Sequence, residues 1–598
     1  MFQSFDTTSD PSQGPARLAA LRAQLSSAKL DGFIIPRADA HQGEYVAAHD
    51  ERLQWLTGFT GSAGFCCALQ NDAGVFIDGR YRTQVKSQVD LEQFTPVPWP
   101  ETSLVDWLKT QCSNGAEIGF DPWLMTKGQL EAHENALNGT DITLRACANL
   151  VDIIWDDQPA PPLTSAFAYS IEYSGKSSPD KRRDCAADLV EKNENAAVIT
   201  LPDSLCWLLN IRGSDVSKTP LVHGFAILND DARVQLFIAP SKVEALGPDP
   251  SIDIMPPEDF LPTLSKLTGK VRCDKTSVPV AVIDALNASD AEISYGVDPC
   301  ALPKARKNPV EIAGTRAAHI TDATAVCELL CWLDQQPANT TSEIDVVTQL
   351  EQRRRATNAL QDISFDTISG AGPNGAIMHY RVTHETSRTL QDGDLLVLDS
   401  GGQYLNGTTD ITRTIAIGEV GHEERTAFTR VLQGMIAISR MRWPKGLAGR
   451  DIEAVGRVPL WLAGQDFDHG IGHGVGHFLG VHEGPQRLSR VSNVPLETGM
   501  ILSNEPGYYR EGAFGIRIEN LLVVQPAKAL EGSDAHRQML DFETLTYVPI
   551  DRRLILSDML NQQELDWMNS YHAACLSKLS GLLSEDAQNW LENATQPL

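Results

Sequence analysis

The chain of 598 residues lacks an excess of positive charge, a C-x-x-C motif and a long apolar run. With 50 Lys and Arg against 78 Asp and Glu, its net charge is −28. The basic footprint of a general nucleic-acid binder is therefore missing. The 11 cysteines are odd in number and scattered, with no C-x-x-C pair. That pattern fits reduced, mostly buried thiols of a cytoplasmic protein. No stretch approaches the roughly 18 apolar residues of a membrane-spanning helix. The opening MFQSFDTTSDPSQGP has neither the basic nor the apolar region of a secretory leader. A soluble cytoplasmic protein, without nucleic-acid or membrane partners, is the expectation. What is present is an ordinary globular composition, 42% hydrophobic and 21% charged. At roughly 150 residues per domain the length implies several domains. The acidic balance is read as solubility.

Residues 16–30 are predicted as an amphipathic helix, and DGFIIP (31–36) as a buried strand stopped by Pro36. GFCCALQNDAGVFID (64–78) reads as two strands around an Asn71-Asp72-Ala73-Gly74 turn. The same pattern returns in GFAILNDDARVQLFI (224–238). Its context returns too: IIPRAD (34–39) and WLTGF (55–59) are echoed by ITLPDS (199–204) and WLLNI (207–211). Three matched features in the same order imply duplication. Two related α/β domains are expected, residues 1–155 and 156–303, with the Pro-rich QPAPPL (158–163) near their boundary. A third region, 304–598, opens with a strong helix start. Asn308 caps, Pro309 takes the first helical position, and Glu311 can close a capping box. A second helix is expected around 341–357, then strands and glycine-rich turns to about residue 550 and a helical tail over 556–598.

The stretch DHGIGHGVGHFLGVHEGP (468–485) carries His469, His473, His477 and His482. The first three are four apart, the spacing that puts metal ligands on one helix face. Glycines at 470, 472, 474, 476 and 480 oppose a helix, at about 1 kcal/mol each. Four acids lie elsewhere at or in predicted strands. Asp399 ends the apolar LLVLD, and Asp410 lies inside TTDITRTIAI. Glu505 ends MILSNE before Pro506, and Glu519 lies within FGIRIENLLVV on the same face as Arg517. Aspartate is depleted in strands, and a buried charge needs a partner. Four converging carboxylates would need cations. Two divalent ions about 3.5–4 Å apart would neutralise them, hold a bridging water and lower its pKa. The oxygen-rich set with one histidine suits Mn²⁺, Co²⁺ or Zn²⁺. Metal-assisted hydrolysis is the chemistry this predicts.

ISGAGPNGAIMHY (368–380), LDSGGQY with TTDITRT, GHGVGHFLGVHEGP, LSNEPGYY and GIRIEN together resemble the aminopeptidase P (Xaa-Pro aminopeptidase) family of pita-bread metallopeptidases. IIPRADAHQGEYVAAHDERLQWLTGFTGSAG (34–64) and ELDWMNSYHAAC (564–575) extend the resemblance to its long, three-domain cytosolic form. It implies two creatinase-type α/β domains, then a pita-bread catalytic domain with a C-terminal helical extension. It further implies Asp399, Asp410, His473, Glu505 and Glu519 as ligands of two divalent ions, Mn²⁺ first. Asp410 and Glu519 would bridge, and Glu505 would also act as general base. His379, His469 and His482 would face substrate, and Arg517 would orient carboxylates. His477 has no assigned role. Peptides with proline second are the implied substrates, and a homodimer is the implied assembly. Prolidase, which takes Xaa-Pro dipeptides, and a non-catalytic peptide-binding module are the alternatives. Total length favours the aminopeptidase, and the intact ligand set opposes the module. The histidine segment is then a loop and strand around a pocket, with His473 alone on metal.

Overall fold

The computed structural model describes residues 1–112, 115–337, 339–534 and 536–598. The chain divides into two compact units, Thr8–Ala301, and Met1–Thr7 with Leu302–Leu598. The unit Thr8–Ala301 contains two six-stranded sheets. The first is built from β1 (Gly32–Pro36), β2 (Phe65–Leu69), β3 (Ala73–Ile77), β4 (Thr95–Pro98), β5 (Ala116–Phe120) and β6 (Ile142–Ala146). The second is built from β7 (Ala196–Ile199), β8 (Phe225–Asn229), β9 (Val234–Phe237), β10 (Ile252–Met255), β11 (Thr268–Cys273) and β12 (Asp290–Tyr295). Their strand orders are 4-3-2-1-5-6 and 10-9-8-7-11-12, the same order shifted by six. Every pairing also keeps its sense: β1–β2 and β7–β8 are antiparallel, and β1–β5 and β7–β11 are parallel. The motif echo in the sequence is thus a repeated fold.

A helix precedes each sheet, α1 (Gly14–Ala28) and α2 (Ser178–Glu191). Leu18, Leu21 and Leu25 of α1 are fully buried, the stripe that a 3.6-residue period places on one face. The β2–β3 hairpin turns over residues 70–72, earlier than expected. Ala73 and Gly74 belong to β3. A Cβ on Gly74 would meet the Trp107 ring at 3.1 Å, so this glycine serves packing instead of the turn.

The other unit opens with α3 (Pro309–Asp334), whose expected capping box closes between Asn308 and Glu311. It packs with α4 (Glu343–Ala356). Strands β13 (Leu360–Ile363), β14 (Ile368–Ala371), β15 (Leu395–Ser400), β16 (Gly402–Tyr404), β17 (Gly407–Thr408) and β18 (Ile411–Ala416) follow. They form two three-stranded sheets, 13-16-17 and 14-15-18. A six-stranded sheet contains β19 (Arg442–Pro444), β20 (Gly472–Gly474), β21 (Glu483–Leu488), β22 (Ile501–Asn504), then β25 (Asn520–Pro526) and β26 (Met539–Thr544). The ribbon β23 (Gly507–Arg510) and β24 (Phe514–Arg517) lies between β22 and β25 in sequence.

Two helices occupy a stretch expected to hold only strands and turns: α5 (His422–Ser439) and α6 (Gly449–Trp461). Their glycines read as turn signals for a different reason. A Cβ on Gly434 would lie 2.1 Å from the Gly456 carbonyl oxygen, so the pair lets two helices cross closely. Phe428, Leu432 and Met435 of α5 and Ile452 of α6 join Leu502, Ile516 and Leu522 in one apolar core. The tail forms α7 (Gln562–Leu579) and α8 (Glu585–Ala594), as expected. The expected mixture of two α/β repeats followed by an α+β unit is the observed fold class.

Candidate metal centre

The predicted site residues come from five separate pieces of the second unit. Asp399 lies in β15, opposite Thr412 of β18. Asp410 lies between β17 and β18, one residue outside a strand instead of inside one. Glu505 follows the last residue of β22, its N–H bonded to the Ile471 carbonyl at 2.8 Å. Glu519 sits in the two-residue break between β24 and β25, again outside the expected strand. Its N–H donates to the Thr412 carbonyl at 3.1 Å, which ties that break to β18. Both departures take one form. Each lies where the ladder opens and the next strand begins immediately afterwards, whereas Asp399 meets them from inside its ladder.

His473 is the middle residue of β20. Its flanking glycines make the approach possible. A Cβ on Gly472 would lie 1.9 Å from the Ser503 carbonyl oxygen, and one on Gly474 would lie 2.2 Å from the Glu483 carbonyl oxygen. The segment is therefore a strand and loop, as the glycines implied. His473 Nδ1 lies 2.9 Å from the Gly474 carbonyl, which can only accept, so Nδ1 carries the proton. Nε2 is the nitrogen turned to the carboxylates. It lies 3.4 Å from Asp410 Oδ2 and 3.4 Å from Glu505 Oε1. Ligand atoms of Asp410, His473 and Glu519 all fall within 4.8 Å of one another.

The electrostatics are unbalanced. Burial pushes the Asp410 and Glu519 carboxyls well above the usual carboxylate range, and neighbouring carboxylates add to it. Burial also raises Glu505, against His473 and Arg517. Arg517 donates from Nη2 to Asp399 Oδ2 at 2.6 Å. Asp399 Oδ1 and Glu519 Oε1 are buried without a hydrogen-bond partner among the described residues. Four carboxylates share one arginine, and two of their oxygens are orphaned. Oxygen donors with a single imidazole suit hard or borderline divalent cations, so the residues present fit such ions.

The other candidates surround this cluster. His469 Nδ1 lies 2.8 Å from the Gly470 carbonyl, so its Nε2 accepts from the Tyr509 hydroxyl at 2.9 Å. Tyr509 in turn accepts from Arg517 Nη1 at 2.6 Å. The chain His469–Tyr509–Arg517–Asp399 was not foreseen, because nothing in GYY separates Tyr509 from Tyr508. Burial pushes the Tyr509 hydroxyl up to about 12, so it stays a donor. The His482 ring meets His473 edge-on, centroids 4.3 Å apart. His379 is half-buried on the segment between β14 and β15. Glu343 organises that segment, accepting from Ala371 N at 2.7 Å, Asn374 Nδ2 at 3.0 Å and Arg388 N at 2.9 Å. Its role carried no sequence signal. His477 is buried with Nδ1 3.1 Å from the Thr315 hydroxyl of α3.

Fold and donor set together define a class, the metallopeptidases. Residues 313–526 match metallopeptidase family M24 and 538–598 match the C-terminal region of peptidase M24. Residues 17–154 and 157–311 each match the creatinase/prolidase N-terminal domain. Aminopeptidase P1 of Lotus japonicus is 34% identical, aligned over 97% of this chain and 99% of that protein. A probable Xaa-Pro aminopeptidase P of Laccaria bicolor is 37% identical, over 97% and 93%. The crystal structure of the X-prolyl aminopeptidase from Caenorhabditis elegans, a cytosolic enzyme with a di-nuclear active site, matches with a TM-score of 0.91 at 30% identity. That match covers 98% of this chain and 100% of that one. The chain belongs to the aminopeptidase P family of metallopeptidases. A prolidase from Pyrococcus horikoshii OT3 shares the fold over 62% of this chain, with a TM-score of 0.50 at 21% identity.

Proposed function

We propose that the chain is a metal-dependent hydrolase that releases the N-terminal residue from peptides with proline second. The observation that carries this is full-length similarity to aminopeptidase P relatives joined to an unneutralised four-carboxylate cluster. Asp399, Asp410, His473, Glu505 and Glu519 would hold two divalent ions. The oxygen-rich set favours Mn²⁺, with Co²⁺ or Zn²⁺ as substitutes. Such ions polarise a carbonyl and lower the pKa of a water, the chemistry that amide hydrolysis needs.

The side chains have distinct tasks in this reading. Glu505 is only half-buried, lies beside His473, and accepts from Ser503 Oγ at 3.0 Å. It can take a proton from water and give it to the departing proline nitrogen. Arg517 fixes Asp399, and Tyr509 fixes both Arg517 and His469. His379, His469 and His482 would face the scissile carbonyl and the proline ring. A free peptide amine would be drawn to the net negative cluster, which sets the exopeptidase register. Proline's tertiary amide offers no N–H, so shape must select it.

Residues 1–155, 156–303 and 304–598 remain the proposed domain limits. A homodimer is supported by an exposed apolar face on α6 and beside it. Leu462 is 86% exposed, Val458, Trp461 and Val491 are also exposed, and Arg490 lies over the Trp461 ring. Leu462→Asp should then yield a monomer by light scattering. Among the described residues no helix is long and apolar enough to cross a membrane. With the eleven free thiols, this supports action in the cytosol. The activity is tested by comparing Arg-Pro-Pro, Arg-Pro and Arg-Ala-Ala. Release of arginine from the first alone is expected. Cleavage confined to Arg-Pro would make the chain a prolidase, and no cleavage with metal supplied would make it a binding module.

A further inference from the structure

Along β18 the side chains alternate between two faces. Thr412 donates to Glu519 Oε2 at 2.9 Å, and Thr414 donates to the Arg517 carbonyl at 2.9 Å, both toward the carboxylate cluster. Arg413 turns the other way and is fully buried. It donates to the carbonyls of Thr412, Glu519, Val548 and Pro549, at 2.8, 2.6, 2.7 and 3.1 Å. It also donates to Asn520 Oδ1 at 2.9 Å and the Tyr571 hydroxyl at 2.8 Å. All six acceptors are neutral, so its positive charge is solvated by the fold and not cancelled.

Behind this arginine lies a cavity of about 230 Å³ between α3, β18, the segment 549–553 and α8. Its apolar wall includes Leu330, Ile415, Pro549, Ile550 and Trp590. Arg413, Arg552 and Arg553 line it together with Asp334 and Asp551. The two acids are already committed to Arg553, at 3.2 and 2.7 Å. Arg552 donates from its η nitrogens to the Asn593 and Pro597 carbonyls, at 3.3 and 2.9 Å. Its Nε is buried without a hydrogen-bond partner among the described residues. In a chain of net charge −28, this cavity is therefore lined by three guanidinium groups against two carboxylates, and neither carboxylate is paired with Arg413 or Arg552. A buried guanidinium nitrogen left unbonded is costly, and a carboxylate is its best acceptor.

We propose that this cavity is a binding site for a small carboxylate with an apolar or aromatic body, distinct from the carboxylate cluster, and that its occupant acts on Glu519 through Arg413. An apolar cavity of about 150 Å³ takes benzene, so this one takes roughly ten non-hydrogen atoms. The anion meets Arg552, and the ring lies against Trp590 and Ile550. The link to the cluster is direct: one guanidinium grips the backbone of Glu519 and the wall of the cavity.

Phenylacetate, with the neutral phenylacetamide as its match, tests this on the full metal-loaded chain by titration calorimetry. Saturable binding with a Kd of about 1 mM or tighter is expected. Phenylacetamide should bind at least about tenfold more weakly. Arg552→Gln should lose phenylacetate binding about tenfold, and Ala594→Phe, which fills the cavity, should abolish it. Neither variant touches the cluster, and each should keep the turnover of the unliganded enzyme. Phenylacetate should change kcat for Arg-Pro-Pro in the parent chain and leave KM unchanged. No saturable heat, equal binding of the amide, or binding that persists in both variants would overturn the site. Inhibition purely competitive with the peptide would also overturn it, by placing phenylacetate in the catalytic cluster. Unchanged turnover at saturation would overturn the link through Arg413.

Discussion

Between the two repeats of Thr8–Ala301 lies a buried polar seam, and its chemistry contrasts with that of the carboxylate cluster. At the seam Asp215 pairs with Lys242 Nζ at 2.6 Å and accepts from His223 N at 2.7 Å. Its other oxygen accepts from the Thr164 hydroxyl at 2.6 Å. Asp39 caps the backbone N–H groups of His41 and Gly43, at 2.9 and 3.0 Å. The His41 ring stacks on Phe225 at 4.4 Å, and burial pushes both His41 and His223 down to about 4, leaving them neutral at pH 7. In the cluster, burial pushes Asp410 and Glu519 up, and the neighbouring acids push them further. Buried charge alone therefore does not mark function. An opposite charge beside a buried acid, as Lys242 beside Asp215, holds a fold together, whereas four carboxylates converging on one arginine call for cations.

The largest expected effect comes from reducing that mismatch. Asp410→Asn should lower kcat/KM for Arg-Pro-Pro at least about 10³-fold. It should also raise the melting temperature of the metal-free protein, which no change at a matched ion pair would do. A lower metal-free melting temperature would place Asp410 among paired structural charges. Tyr509→Phe should cost about 10–100-fold in kcat, because it cuts the link from Arg517 to His469 without removing a ligand. Bound metal, counted by elemental analysis, should be unchanged.

The two regions should also answer pH with opposite signs. A carboxyl raised by burial binds its proton more tightly folded than unfolded. Metal-free stability from Asp410, Glu505 and Glu519 therefore falls as pH rises from the ordinary carboxylate range through their elevated folded values. At the seam the folded histidines bind protons more weakly than unfolded ones. Their contribution is complete above the ordinary value of 6.5 and is lost as pH falls toward about 4. Added divalent metal should thus raise the melting temperature more at pH 7.5 than at pH 5.5, by differential scanning calorimetry. An equal rise at both would contradict the carboxylate account. The smallest effect is expected from His477→Ala, a loss of about 1–3 kcal/mol of stability from removing a buried, hydrogen-bonded ring. Metal content and kcat should stay near those of the parent. Loss of metal would add His477 to the ligand set.

Much of this was legible in residue types and order. The Asn308–Glu311 capping box and the repeated hairpin context showed in the sequence, as did the four acids; His473 was singled out among the histidines by the family resemblance. Asp and Glu next to strands of β-branched residues stand out because such positions exclude unpaired charge. The helices α5 and α6 were hidden because Gly434, Gly456 and Pro459 read as breakers, although the two glycines serve a helix crossing. Gly74 misled in the same way. Tyr509, Glu343 and Arg413 were not foreseen: Tyr509 is one of two adjacent tyrosines, Glu343 gathers partners 28 to 45 residues away, and Arg413 gathers most of its partners more than a hundred residues away. Asp410 and Glu519 were recognised as acids but placed inside strands, because alternation does not reveal where a ladder opens.

The most direct test of the central claim is the number of divalent ions bound per chain, measured by elemental analysis and located by anomalous diffraction, with turnover of Arg-Pro-Pro followed through chelation and Mn²⁺ restoration. Two ions among Asp399, Asp410, His473, Glu505 and Glu519 are predicted, with activity lost on chelation and regained with metal. Full activity in a chelated chain free of metal, or ions bound only outside these five side chains, would contradict it.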